Sequence, residues 1–100
     1  MKAVNIKFVS PIEEFNPEND SVDVHVLLDD GRLFSFDFAT PNNIFFSMAI
    51  EGLDYYFGVP TVFVRLLNRE CVEKAIHAIL REDDGRWLDV YGVLQSSEYQ

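Results

Sequence analysis

The stretch from Val22 to Phe38 alternates apolar and polar residues on either side of an Asp29-Asp30-Gly31 step, and this pattern constrains the fold more than any other. A period of two is that of a strand with one face on a core. Asp29-Asp30-Gly31 suits a three-residue hairpin loop, with Gly31 at the position that needs positive φ. Such a loop sets Leu28 opposite Arg32. It then pairs Val26 with Phe34, Val24 with Phe36 and Val22 with Phe38. All six apolar side chains fall on one face, and a slip of one residue would turn them away from it. Turn chemistry and hydrophobic pattern thus specify one register.

The remaining elements are placed around this hairpin. Lys2 to Val9 alternates, with Val4, Ile6 and Phe8 on one side, and predicts a strand. Ser10 to Asp20 holds two prolines, two asparagines and the acids Glu13, Glu14, Glu18 and Asp20, and reads as an exposed acidic loop. Thr40-Pro41 begins a helix, with Thr40 as cap and Pro41 in the first turn, running to about Glu51 before Gly52. Leu53 to Gly58 is an aromatic connection, and Thr61 to Leu66 a β-branched strand. Asn68 caps a second helix from Arg69 to about Glu82, whose Val72, Ala75, Ile76, Ile79 and Leu80 form one apolar stripe. Asp83-Asp84-Gly85 is a turn, Trp87 to Leu94 a last strand, and Gln95 to Gln100 a polar, frayed tail. The order β-β-β-α-β-α-β predicts one α+β domain over residues 1–100. It is a two-layer sandwich, with an antiparallel or mixed sheet of about five strands and two helices on one face.

Charge narrows the choice of partner. Seventeen acidic residues against eight basic ones leave a formal charge of −9 on 100 residues. Nucleic-acid binding needs Lys and Arg to neutralise phosphates, so this balance argues against it and favours a basic protein. The lone Cys71 permits no internal disulfide and no multi-cysteine zinc site, which fits a reducing compartment. The first residues show no secretory h-region, and no apolar run approaches the length of a membrane span. The expectation is a cytoplasmic protein with no membrane partner.

Catalytic constellations do not assemble. The hairpin register sets Asp23 opposite Asp37 and His25 opposite Ser35 on the polar face. Facing carboxylates destabilise a sheet and call for compensation. Lys7 or Lys2 from the first strand would supply it, or else a partner's cation or a bound metal. Asp23, His25 and Asp37 would be the ligands of such a metal, the basis of an alternative reading as a small metal-dependent enzyme. His77 and Cys71 lie beside the second helix's apolar stripe without a nucleophile scheme. No phosphate-cradling glycine motif occurs. The expectation is no catalytic residue, no cofactor and no resident metal.

The aromatic segment is richer. Leu53-Asp54-Tyr55-Tyr56-Phe57-Gly58 follows a helix that already carries Phe45 and Phe46. One small core does not hold all these rings, so some of Phe45, Tyr55 and Tyr56 reach the surface. Tyrosines rimmed by Glu51 and Asp54 suit a basic protein surface. The candidate partner-binding residues are therefore Glu51, Asp54, Tyr55 and Tyr56, then Glu13, Glu14, Glu18 and Asp20, with Asp23, His25 and Asp37 in reserve.

The run Val22 to Phe38, followed by Thr40-Pro41-Asn42-Asn43, resembles small bacterial immunity proteins encoded beside secreted polymorphic or contact-dependent inhibition toxins. Val62-Phe63-Val64-Arg65 leading into Glu73-Lys74-Ala75-Ile76 is similar in style. The resemblance spans roughly residues 4 to 94. It implies a cytoplasmic protein that binds and blocks one cognate toxin, often a nuclease with a basic cleft, by stoichiometric occlusion. A regulatory or scaffold subunit of a larger complex is the other non-enzymatic alternative.

Overall fold

The computed structural model describes residues 1–95. The chain runs through β1 (Ala3–Phe8), a 3-10 turn at Ile12–Glu14, β2 (Ser21–Leu28), β3 (Leu33–Ala39), α1 (Pro41–Glu51) and β4 (Thr61–Phe63). It continues through α2 (Arg69–Arg81), a second 3-10 turn at Glu82–Gly85, α3 (Leu88–Tyr91) and β5 (Val93–Gln95). Of the tail expected over Gln95 to Gln100, Gln95 is instead the last residue of β5, and residues 96–100 lie outside the described residues.

The hairpin folds in the register that its pattern specifies. Val26 faces Phe34, Val24 faces Phe36, Val22 faces Phe38 and Asp23 faces Asp37. The Leu28 N–H donates to the Arg32 carbonyl at 2.9 Å, and Gly31 turns at φ +91°. Val22, Val24, Val26, Phe34, Phe36 and Phe38 are all buried.

Antiparallel β1 covers the outer edge of β2. The other edge of β3 is shared: β4 lies parallel beside Asp37–Ala39, and β5 lies antiparallel beside Leu33–Ser35. Parallel neighbours need a long crossover, and residues 40–60, with α1, make it. The result is the expected α+β sandwich with a five-stranded mixed sheet. α2 supplies the helical layer. Its Val72, Ile76, Ile79 and Leu80 join the strands' inner face in one buried cluster with Leu28, Leu67 and Leu88.

Local departures have local causes. The register of β1 shifts between Ala3 and Asn5, so Val4 turns to solvent while Ala3, Ile6 and Phe8 pack on the core. The strand expected over Thr61–Leu66 stops at Phe63, because Val64 onward bends toward the Asn68 cap of α2. That helix itself ends at Arg81, one residue early. The strand expected over Trp87–Leu94 is instead α3 plus the short β5. Trp87, Leu88 and Tyr91 stand at helical spacing, and all three pack against the core. Gly92 then lets β5 approach closely: a side-chain carbon there would meet the rings of Phe34 at 3.0 Å and Phe36 at 3.1 Å.

Candidate functional site

α1 forms for good local reasons. Thr40 accepts a hydrogen bond from the Asn43 N–H at 3.3 Å, Pro41 opens the first turn, and Gly52 closes the helix at φ +68°. The hydroxyl of Thr40 also accepts from the Asp20 N–H at 3.3 Å, so the loop preceding β2 is stapled to the helix start. Asn42 reaches the Glu18 carbonyl, and Asn43 the side chain of Asn19.

What α1 lacks is burial. None of its residues is buried. Asn43, Ile44, Ser47 and Met48 are half-covered, whereas Phe45, Phe46, Ala49 and Ile50 face solvent. Phe45 is 65% exposed and Ile50 69%. The apolar stripe of this helix therefore points outward. The segment after it adds further exposed apolar side chains. Every residue from Glu51 to Pro60 is exposed, with Phe57 at 84%. Tyr55 and Phe57 stack with centroids 6.0 Å apart and an interplanar angle of 14°. Glu51, Tyr55 and Tyr56 line one cleft of about 400 Å³ with Ser47, Met48, Leu53 and Phe57. Exposed apolar surface on this scale marks an interaction site on a folded protein.

The structure thus brings Glu51, Tyr55 and Tyr56 together, with Asp54 in the same exposed segment. Phe46, Ile50 and Phe57 are surface residues that sequence reasoning passed over. No local signal marked Phe46 and Ile50: they share one side of α1 with Phe45 and Ala49, opposite the polar row of Asn43, Ser47 and Glu51, as core residues of a helix do.

The acidic loop is more tightly held than its composition implies. Ile12 is buried, and the Leu67 N–H donates to the Pro17 carbonyl at 2.7 Å. Glu13 meets the Arg69 guanidinium at 3.3 Å. Its own backbone N–H, together with Arg69, holds this carboxyl below the usual range. The Asp20 carboxylate accepts from the backbone N–H groups of Asn16 and Ser21. Glu14 and Glu18 stay exposed.

The polar face of the hairpin is a separate region. Lys7 lies opposite His25 and forms no ion pair with Asp23 or Asp37 among the described residues. The expected lysine compensation is replaced by the Thr61 hydroxyl, which donates to Asp37 Oδ2 at 2.7 Å. Burial pushes the Asp37 carboxyl up; the Thr61 hydrogen bond opposes this, and the Asp23 charge adds to it. Among the described residues, no three His, Cys, Asp or Glu side chains gather as a metal site, so Asp23, His25 and Asp37 do not make the metal-binding set. His77 lines a different cavity, of about 660 Å³, with Lys2, Arg81 and Asp84.

Among the described residues no helix is long and apolar enough to cross a membrane. No family model matches the chain, and no curated protein or solved structure does either.

Proposed function

We propose that this protein binds and neutralises a basic protein partner by occlusion, as an immunity protein of a contact-dependent inhibition or polymorphic toxin system does, and that it acts in the cytoplasm without turnover. The observation that carries this reading is the outward apolar stripe of α1, continuous in sequence with the exposed rings of Tyr55, Tyr56 and Phe57. Large rigid aromatic anchors supply binding energy, and the formal charge of −9 supplies attraction to a basic target over long range. The same charge repels nucleic acid, so a nuclease toxin's basic cleft suits the protein where its substrate would not.

The test is titration of the purified chain against the toxin domain encoded immediately upstream of its gene. Toxin activity is expected to fall to zero at one equivalent. Undiminished activity at tenfold excess of the chain would overturn the reading. A scaffold subunit would bind its partner and leave the partner's activity intact.

A further inference from the structure

Trp87 precedes α3 and Tyr91 closes it, one turn on, with the Tyr91 N–H donating to the Trp87 carbonyl at 2.9 Å. Their rings lie 6.0 Å apart, tilted by 40°. Asp83, Asp84 and Gly85 reverse the chain between α2 and α3 at φ +48°, +56° and +81°. The two rings then line a cavity of about 240 Å³ with Ala78 and Ile79 of α2 and Glu82 just beyond its end. Ile79 is buried, and both rings pack against the core, so the lining is held in place before anything enters it. The Glu82 N–H donates to the Ala78 carbonyl, which keeps this acid one turn beyond Ala78. The Glu82 carboxylate forms no ion pair among the described residues.

The face of an aromatic ring attracts a cation, and a carboxylate beside it adds to the attraction. Among the described residues no Lys, Arg or His lines this cavity. An anionic group would be repelled by Glu82, and a neutral apolar group would leave Glu82 unused. Arg86 shows the pairing directly: its guanidinium carbon lies 5.2 Å from the Trp87 ring centre, although Arg86 does not itself line the cavity. Sites that enclose a whole small ligand run to about 300–1,000 Å³. This cavity is smaller and takes a single group.

We infer that the cavity between α2 and α3 seats a Lys or Arg side chain of a protein partner. This rests on the proposed binding of a basic partner and gives that partner a seat on elements other than α1. Tilted aromatic rings, one unpaired acid and an apolar floor match the charged head and the methylene stem of such a side chain.

The probes are Nα-acetyl-arginine amide and Nα-acetyl-lysine amide, with the citrulline amide as an uncharged control of nearly the same shape as arginine. Trp87 is the only tryptophan, so its fluorescence reports on the cavity directly. Both cationic amides are expected to change it saturably, and citrulline to bind at least about threefold more weakly than arginine. Glu82→Gln should weaken the cationic amides by about threefold and flatten their salt dependence, with an unchanged melting temperature. Tyr91→Leu should weaken them by about fivefold. Citrulline binding as well as arginine would make the seat merely apolar and overturn the inference, as would indifference to Glu82→Gln. Arg86→Gln should leave binding within about twofold. A gain of about tenfold would assign the cavity to Arg86 itself, and tetramethylammonium binding about tenfold tighter than both amides would assign it to a free cation. Either result overturns the inference. Toxin assays separate it from the function it rests on. The double variant Glu82→Gln, Tyr91→Leu is expected to bind the toxin about tenfold more weakly. Unchanged toxin affinity would remove the cavity from the interface and leave the inhibitor standing. Saturable binding of the amides by a chain that neutralises no toxin would keep the cation seat and sink the inhibitor.

Discussion

The two long helices begin alike and end up in opposite circumstances. Thr40 caps α1 and Asn68 caps α2, each accepting a hydrogen bond from the backbone N–H three residues on. α2 buries Val72, Ile76, Ile79 and Leu80 and turns Glu70, Lys74, His77 and Arg81 outward. α1 buries nothing and turns Phe45, Phe46 and Ile50 outward. Caps determine where a helix starts. The distribution of apolar residues around its circumference determines whether it belongs to the core. An apolar helix face left outside the core is costly to keep in water, and a partner that covers it relieves that cost.

The comparison breaks most visibly on stability. Ile76 is wholly buried in α2, so Ile76→Ala should cost about 3 kcal/mol. Ile50→Ser on α1 should stay within about 0.5 kcal/mol of the parent. Urea denaturation of both variants measures the difference, and equal losses would mean that α1 is part of the core after all. Loss of a cap comes next. Thr40→Ala and Asn68→Ala should each cost about 1 kcal/mol. Because tertiary packing holds α2 and little holds α1, helix content by circular dichroism should fall only for Thr40→Ala. Native-state hydrogen exchange should show α1 amides opening before those of α2.

A smaller effect belongs to the sheet. Burial, with Asp23 beside it, raises the Asp37 carboxyl, while the Thr61 hydroxyl opposes the shift. The native chain therefore binds this proton more readily than the unfolded chain. The contribution of Asp37 is present in full below the ordinary aspartate range and is lost as pH rises through its raised value. Asp37→Asn keeps an acceptor for Thr61 and removes the opposed charge. It should add about 0.5 kcal/mol at neutral pH and remove the falling step from the pH profile of the urea midpoint. The smallest effect is on the exposed Glu70–Lys74 pair of α2, 3.1 Å apart. Lys74→Ala should cost about 0.3 kcal/mol, and less in high salt.

Much of the fold was legible in the chain. Val22 to Phe38 carries its register in the parity of its apolar residues and in its turn, and both caps were readable as short local motifs. Trp87 to Tyr91 was not, because four or five residues of mixed polarity satisfy strand and helix periods alike. Asp37 was legible as a problem facing Asp23, but its answer was not. Thr61 is 24 residues away, and only the parallel pairing of β4 with β3 brings its hydroxyl within reach. The candidate site was half legible: Glu51, Asp54, Tyr55 and Tyr56 stood out by composition, whereas Phe46 and Ile50 looked like any helix's core residues.

By itself the sequence determined what is local: the hairpin and its register, the helix starts, and the buried stripe of α2. Each follows from side chains within a few residues of one another, where backbone geometry leaves little choice. Only the tertiary structure decided that α1 stands outside the core, that the Ser10–Asp20 loop is tied to α1 and α2, and that Thr61 answers Asp37. Those outcomes depend on which distant segments fill the inner face of the sheet, and among the described residues β2, β3 and α2 already supply most of the buried cluster.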